Sequence, residues 1–352
     1  MASSKAFTMA GGDAAYSYTK NSTIQRDGVD AVKEQIKEAI LEKFDLNSLG
    51  FDTSSTAVIK IADLGCSVGP NTFFSIQNII EAVELKFLQA KNQNLSALEF
   101  QAFFNDHYEN DFNILFKTLP PRKYFAAGVP GSFHGRLFPK SSLHLAHVSY
   151  ALHFLSKVPK EVVDRNKSNV LNSSDKEVVE AYSTQFKSDM ECFLNARAEE
   201  LVPGGLMLIL AAAVPDGISA SDTMAGLYND VMGSCLKDLV KMGVLGEEKA
   251  KSFNVPVYLA TVTEVEAVFR TNGNFSIEKM EKFAQPMKTP LSPESYALAV
   301  RAGGDGLIRN HFGDELAEQI FNHFNTNVEQ NFPKFLGVLR NNLNLFIVLK
   351  RI

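Results

Sequence analysis

One segment limits the folds open to this chain more than any other. Val58-Ile59-Lys60-Ile61-Ala62-Asp63-Leu64 is a short, β-branched apolar run ending in a carboxylate, and Gly65-Cys66-Ser67-Val68-Gly69-Pro70 follows at once. A run that apolar reads as a strand buried on both faces, the habit of parallel sheets. Residues 73–90 then place apolar side chains at helical spacing, and residues 98–104 read as a second strand stopped at Asn105-Asp106. Strand, glycine turn, helix and strand make one crossover unit of a parallel sheet.

The same alternation continues. Residues 27–44 form an amphipathic helix, with Val29, Val32, Ile36, Ile40 and Leu41 on one face. Strand character returns at 123–129, 206–213, 274–283 and 343–350, residues 143–155 run from strand into loop, and a helix starts after the capping signal Ser173-Ser174-Asp175. The expectation is a doubly wound α/β sheet. Two stretches interrupt it, 214–270 and 290–335, both helical in pattern and read as an inserted helical cap. The sheet core is then assigned to 31–213, 271–289 and 336–352, and residues 1–30 to an N-terminal lid segment.

Composition narrows the function classes. The chain has 352 residues and a net charge of -5, so a nucleic-acid partner is not expected. Its three cysteines are too few and too scattered for a disulfide framework or a zinc site, which fits a reducing cytoplasm. No apolar run is long enough to span a membrane. There are 27 Phe but no Trp.

In an open α/β sheet, ligands bind beyond the carboxyl ends of the strands. The glycines after Asp63 are spaced G-x-x-x-G, not the G-x-G-x-x-G that cradles a pyrophosphate. An anion at Asp63 would repel a diphosphate and favour a cationic or donor-rich ligand. S-adenosylmethionine, with a sulfonium, an amino group and no phosphate, suits that loop. Asp106, just past the second strand, is placed to accept both ribose hydroxyls. The plain alternatives are a helix cap at Asp63 and a turn residue at Asp106.

Several further segments join this loop in one order. They are Ser17-Tyr18-x-x-Asn21-Ser22-x-x-Gln25, Asn105-Asp106-x-x-x-Asn110-Asp111-Phe112-Asn113, Gly128-Val129-Pro130-Gly131-Ser132-Phe133, Ala196-Arg197-Ala198-Glu199-Glu200-Leu201 and His311-Phe312-Gly313. With them the sequence resembles the plant SABATH methyltransferases over nearly its whole length. The resemblance implies a Rossmann-like methyltransferase domain with a helical cap, usually in a homodimer. It also implies methyl transfer from S-adenosylmethionine, leaving S-adenosylhomocysteine, to a small carboxylic acid or to a purine nitrogen. By resemblance, Tyr18, Ser22, Asp63, Gly65 and Asn71 surround the methionine part of the donor. Asp106 holds its ribose, Ser132 and Phe133 flank its adenine, and His107 borders the adenine from the other side.

The same resemblance makes Gln25 the amide donor to an acceptor carboxylate. Relatives supply a second donor from a tryptophan indole; here Phe154 takes that place and cannot donate. His153, beside it, is the substitute donor, or else a structural histidine. Tyr150, Tyr228, Asn229, Val257, Tyr258, Ile308 and Phe346 are implied pocket residues, though core packing would explain them equally. Ala10 stands where some members carry a lysine. The stretch 165–175 is shorter than usual, which weakens the expectation of a Mg2+ site such as some members have. The first expectation is a methyl ester of a small acid. N-methylation of a xanthine is the alternative, followed by a nicotinamide-dependent oxidoreductase and a non-catalytic binding protein.

Overall fold

The computed structural model describes residues 9–12, 14–46, 57–89 and 98–352. The first eight residues of the expected lid, and Asp13, lie outside the described residues. Seven strands form one sheet: β1 (Ala57–Leu64), β2 (Leu98–Asp106), β3 (Phe125–Pro130), β4 (Leu143–Ser149), β5 (Leu201–Ala213), β6 (Phe275–Ala284) and β7 (Leu343–Arg351). Their order is β3-β2-β1-β4-β5-β7-β6, with β7 antiparallel to both its neighbours. The chain winds outward from β1 through β2 to β3, then returns to β4 on the other side of β1. That reversal opens a crevice at the carboxyl ends of β1 and β4.

The helices are α1 (Tyr18–Asn21), α2 (Thr23–Ala31), α3 (Lys33–Lys43), α4 (Asn71–Gln89), α5 (Phe112–Lys117) and α6 (Lys160–Asp164). They continue with α7 (Lys176–Glu200), α8 (Met224–Lys241), α9 (Glu247–Lys251), α10 (Val262–Thr271), α11 (Pro293–Phe312) and α12 (Asp314–Val338). Strand side chains alternate between faces. Along β5, Met207 and Ile209 meet Phe186, Met190 and Phe193 of α7, while Leu206, Leu208 and Leu210 join Ile76, Ile79 and Val83 of α4 in the opposite core. A third core ties α8, α11 and α12 through Leu227, Leu236, Ile308, Phe321 and Phe324.

One strand differs from its expected extent. β5 begins at Leu201, so Pro203-Gly204-Gly205 lies inside the strand and not before it. The register of β4 against β5 shifts between Leu143 and Leu145, so those residues form a bulge. A Pro-Gly-Gly run reads as a loop in sequence, yet a bulge tolerates both residue types.

Candidate active site

The crevice opens into a cavity of about 790 Å³. Its floor is the turn after β1. Gly65 has φ +82, and a Cβ there would stand 2.5 Å from the Cβ of Ala151, so both conformation and space demand glycine. The amides of Gly65 and Cys66 both donate to the Asn105 carbonyl at 2.9 Å, which pins the turn to the end of β2. Asp106 follows and accepts from the amides of Ser67 and His107, each at 2.7 Å. Burial pushes its carboxyl up to about 6, against those two amides and with some help from the Asp63 charge. The carboxylate lines the cavity and remains able to accept from a ligand's hydroxyls.

Asp63 is placed differently. It is buried, and its oxygens bind the Thr72 hydroxyl and, at 2.6 Å, Nδ1 of the buried His147. It acts on the turn from below and is not part of the cavity wall.

The loop after β3 makes one side wall, with Ser132, Phe133 and His134 facing the cavity. It rests on a buried ion pair. Arg197 donates to the carbonyls of Phe133 (2.9 Å) and Gly135 (2.8 Å), and its Nε lies 2.8 Å from Oε2 of Glu200. Glu200 in turn accepts from the Phe138 amide at 3.0 Å. Both side chains are fully buried. His107 lines the cavity beside Asp106, and burial lowers its pKa.

The N-terminal segment supplies another wall. The Ala10 amide bonds the Ala302 carbonyl of α11, and the Tyr18 amide bonds the Ala10 carbonyl, both at 2.8 Å. Tyr18 faces the cavity; burial and the charges of Asp106 and Asp63 push its phenol well up. Asn71 donates to both the carbonyl and hydroxyl of Ser22 at 3.1 Å, tying α4 to the start of α2; neither residue lines the cavity. Gln25 does line it, and its buried amide oxygen has no hydrogen-bond partner among the described residues.

Tyr228 and Asn229 of α8 close the far side. His153 and Phe154 face them from the loop after β4, their rings 4.3 Å apart. That loop is zipped to the segment between α9 and α10: Tyr258 N donates to His153 O at 2.9 Å, Leu155 N to Pro256 O at 2.8 Å, and Phe154 bridges Val257. Burial pulls the His153 pKa down to about 4, so the imidazole is neutral near pH 7. Tyr150, at φ +51, forms the corner between His153 and the N-terminal wall.

Three of the sequence-implied pocket residues are placed elsewhere. The Tyr258 hydroxyl bonds Glu264 in a separate shallow groove. Ile308 is buried in the cap core, and Phe346 in the core on the α4 side of the sheet. Val257 does reach the cavity. Among the described residues no three His, Cys, Asp or Glu side chains converge as metal ligands.

Comparison with known proteins decides the family. The family model described as SAM dependent carboxyl methyltransferase matches residues 4–352. The chain belongs to this family. It is 44% identical to a loganic acid O-methyltransferase of Catharanthus roseus over 99% of this chain and 95% of the relative. A paraxanthine methyltransferase of Arabidopsis thaliana is 42% identical over 91% of this chain and 92% of its own. Among solved structures, a loganic acid methyltransferase with SAH superposes with a TM-score of 0.90 at 44% identity, covering 97% of this chain and 98% of that one.

The methyltransferase therefore has the expected sheet and donor class, and the framework around its cavity contains groups that sequence reasoning passed over. The β1–β4 register sets His147 opposite Asp63. Arg197 and Glu200, three apart on α7, read as a family motif without a task. Asn169 lies in the shortened 165–175 stretch, lines the cavity, and bonds both the amide and the carbonyl of Val255 at 3.0 and 2.8 Å.

Proposed function

We propose that this methyltransferase forms the methyl ester of a small carboxylic acid, and that Gln25 and His153 hold the acid. The observation that carries the reading is Gln25: an amide whose buried oxygen has no partner among the described residues, facing the same cavity as Asp106. Amide oxygen and nitrogen can exchange places by a flip, so the side chain can turn either end to a ligand. Beside it His153, whose ring has no hydrogen-bond partner among the described residues, offers one neutral N–H.

The donor fits the opposite half of the cavity. Tyr18 and the Gly65 turn would border its methionine part, with Ser22, Asn71 and Asp63 fixing that wall from behind. Asp106 would accept from the ribose hydroxyls, and His107, Ser132 and Phe133 would enclose the adenine. When bound, S-adenosylmethionine supplies an electrophilic methyl group.

The acid, with an ordinary pKa near ~4, arrives ionised and needs no general base. Positioning carries the catalysis, and alignment of this kind is worth roughly 7–11 kcal/mol. The neutral clamp suits the reaction. Negative charge on the acid disappears as the ester forms, so a cation bound to it would stabilise the ground state more than the transition state. Gln25 and His153 orient the oxygen without that penalty. Tyr150, Phe154, Tyr228 and Asn229 would shape the acceptor's environment and keep water out.

Two measurements bear on this reading. Release of S-adenosylhomocysteine should require an added acid and stop when the acid is replaced by its primary amide. In Gln25→Ala the acid KM should rise roughly 10- to 100-fold, the loss of one hydrogen bond to a charged group. An unchanged acid KM would remove Gln25 from the site. His153→Phe should act in the same direction, and an unchanged KM would assign that histidine a structural role.

A second reading, methylation of a xanthine nitrogen, is favoured by Phe154, which brings no donor to a carboxylate, and by the likeness to a paraxanthine methyltransferase. The proposal extends to a homodimer in the cytoplasm. Family resemblance supports the dimer, and the free thiols of Cys66, Cys192 and Cys235 suit a reducing compartment. No helix among the described residues is long and apolar enough to cross a membrane.

A further inference from the structure

Helix α2 carries Gln25 and packs on α4 through Val29 and through Arg26, which lies over the Phe74 ring. Only Gly28 and Val29 of its nine residues are buried. Asn71 ties its start to α4, and the loop that follows β6 holds it from the other side. Gln285 donates from its amide nitrogen to the Ile24 carbonyl at 3.1 Å and to the Pro286 carbonyl at 3.0 Å. Its oxygen accepts from Asn344 Nδ2 at 2.9 Å and from the Tyr150 hydroxyl at 3.4 Å. Both donors and both lone pairs of the amide are thus used. Two of the partners are backbone carbonyls, which accept only, so the amide cannot flip.

The anchor on the other side is firm. Asn344 is buried on β7, and Tyr150 stands at the end of β4 with its amide bonded to the Leu210 carbonyl at 2.8 Å. The contact with α2 is also close. A Cβ on Gly28 would lie 1.9 Å from the Tyr150 hydroxyl, so only glycine lets the helix approach. Three residues after Gln285, the Lys288 amide donates to Asp27 at 2.8 Å and its ammonium pairs with Asp30 at 2.5 Å. One short loop therefore grips both the start and the outer face of α2.

We propose that Gln285 is a positioning residue for methyl transfer. It links the backbone at Ile24, next to Gln25, to the sheet at Asn344 and to the cavity corner at Tyr150, and so sets the reach of the Gln25 amide toward the acceptor. The inference rests on the reading of Gln25 as the group that holds the acid.

The test is a double-mutant cycle on the full chain. Gln285→Met keeps the length of the side chain and removes all four hydrogen bonds. The acid KM should rise about tenfold, with the Kd of S-adenosylhomocysteine within about twofold of the parent, since the Asp106 side of the cavity does not touch this loop. Adding Gln25→Ala to Gln285→Met should raise the acid KM no further than Gln25→Ala alone. Independent, multiplying effects would overturn the inference, as would an unchanged acid KM in Gln285→Met. Equal loss of acid and S-adenosylhomocysteine binding would also overturn it, marking general unfolding of the site. If Gln25→Ala alone leaves the acid KM unchanged, the reading of Gln25 itself fails, whatever Gln285 does. Should Gln285→Met not fold, Gln285→Glu carries the same test. It keeps the bonds from Asn344 and Tyr150 and loses those to the two carbonyls. Its acid KM relative to the parent should fall toward one as the pH is lowered and the carboxyl gains a donor hydrogen; a ratio that does not change with pH would contradict the inference.

Discussion

Replacing Asp106 by alanine is expected to weaken binding of S-adenosylhomocysteine by about a hundredfold or more. Two ribose hydroxyls donating to one carboxylate contribute about 3 kcal/mol at the low end for hydrogen bonds to a charged group, and 1.4 kcal/mol is tenfold. The substitution also frees the amides of Ser67 and His107, which this carboxylate holds at 2.7 Å, so the turn under the donor loosens as well. Calorimetry gives the number directly; a Kd within threefold of the parent would remove Asp106 from the donor site. The pH dependence has a definite sign. In the free protein, burial holds the carboxyl up at about 6, and hydroxyl donors favour its charged form, so the pKa falls when the ligand binds. Affinity should be steady above that value and drop as the pH falls through about 6. Binding near pH 6 should release a proton, seen as a binding enthalpy that depends on the buffer. Asp106→Asn should abolish both effects. His153 adds no limb in this range, because it stays neutral down to about 4.

Arg197→Met is expected to lower stability by about 3–5 kcal/mol, the usual cost of removing one partner from a buried ion pair. Glu200 would remain fully buried beside the vacated space, charged or forced to take a proton. The carbonyls of Phe133 and Gly135 would lose their donors at the same time, so the cavity wall after β3 and the fold weaken together. Denaturant melts read the stability loss. Pairing the change with Glu200→Gln should recover part of it, because the lone buried charge is gone. A loss under about 1 kcal/mol in the single variant would show that the pair is solvated and not part of the framework.

How much of this is legible in the sequence follows from how local each signal is. Gly65 and Asp106 stand at the ends of two consecutive apolar strands, so a strand-and-turn pattern finds them without knowledge of the rest of the chain. The Asp63–His147 contact spans 84 positions and exists only because β4 returns to lie beside β1. Arg197 and Glu200 are three apart on a helix, a spacing that ordinarily describes a solvated surface pair; only their complete burial reveals their part. Ile308 and Phe346 show the opposite difficulty. Periodicity marks an apolar position as inward-facing, and does not say whether inward means the cavity or the core behind it. Gln285 carries no pattern at all: its partners come from α2, β4 and β7, and only the fold brings them together. The absence of tryptophan, by contrast, is visible in composition alone, and it acquires a location at Phe154, which bridges Val257 on the cavity wall.

The central claim is that the acceptor atom is a carboxylate oxygen. The most direct measurement supplies S-adenosylmethionine with an isotopically labelled methyl group to the enzyme together with a mixture of aromatic acids, terpenoid and iridoid acids, nicotinate and xanthines. Nuclear magnetic resonance then identifies the atom that carries the label. The predicted result is label in O-methyl esters, lost on mild alkaline hydrolysis. Label found only on ring nitrogen, stable to that hydrolysis, would contradict it.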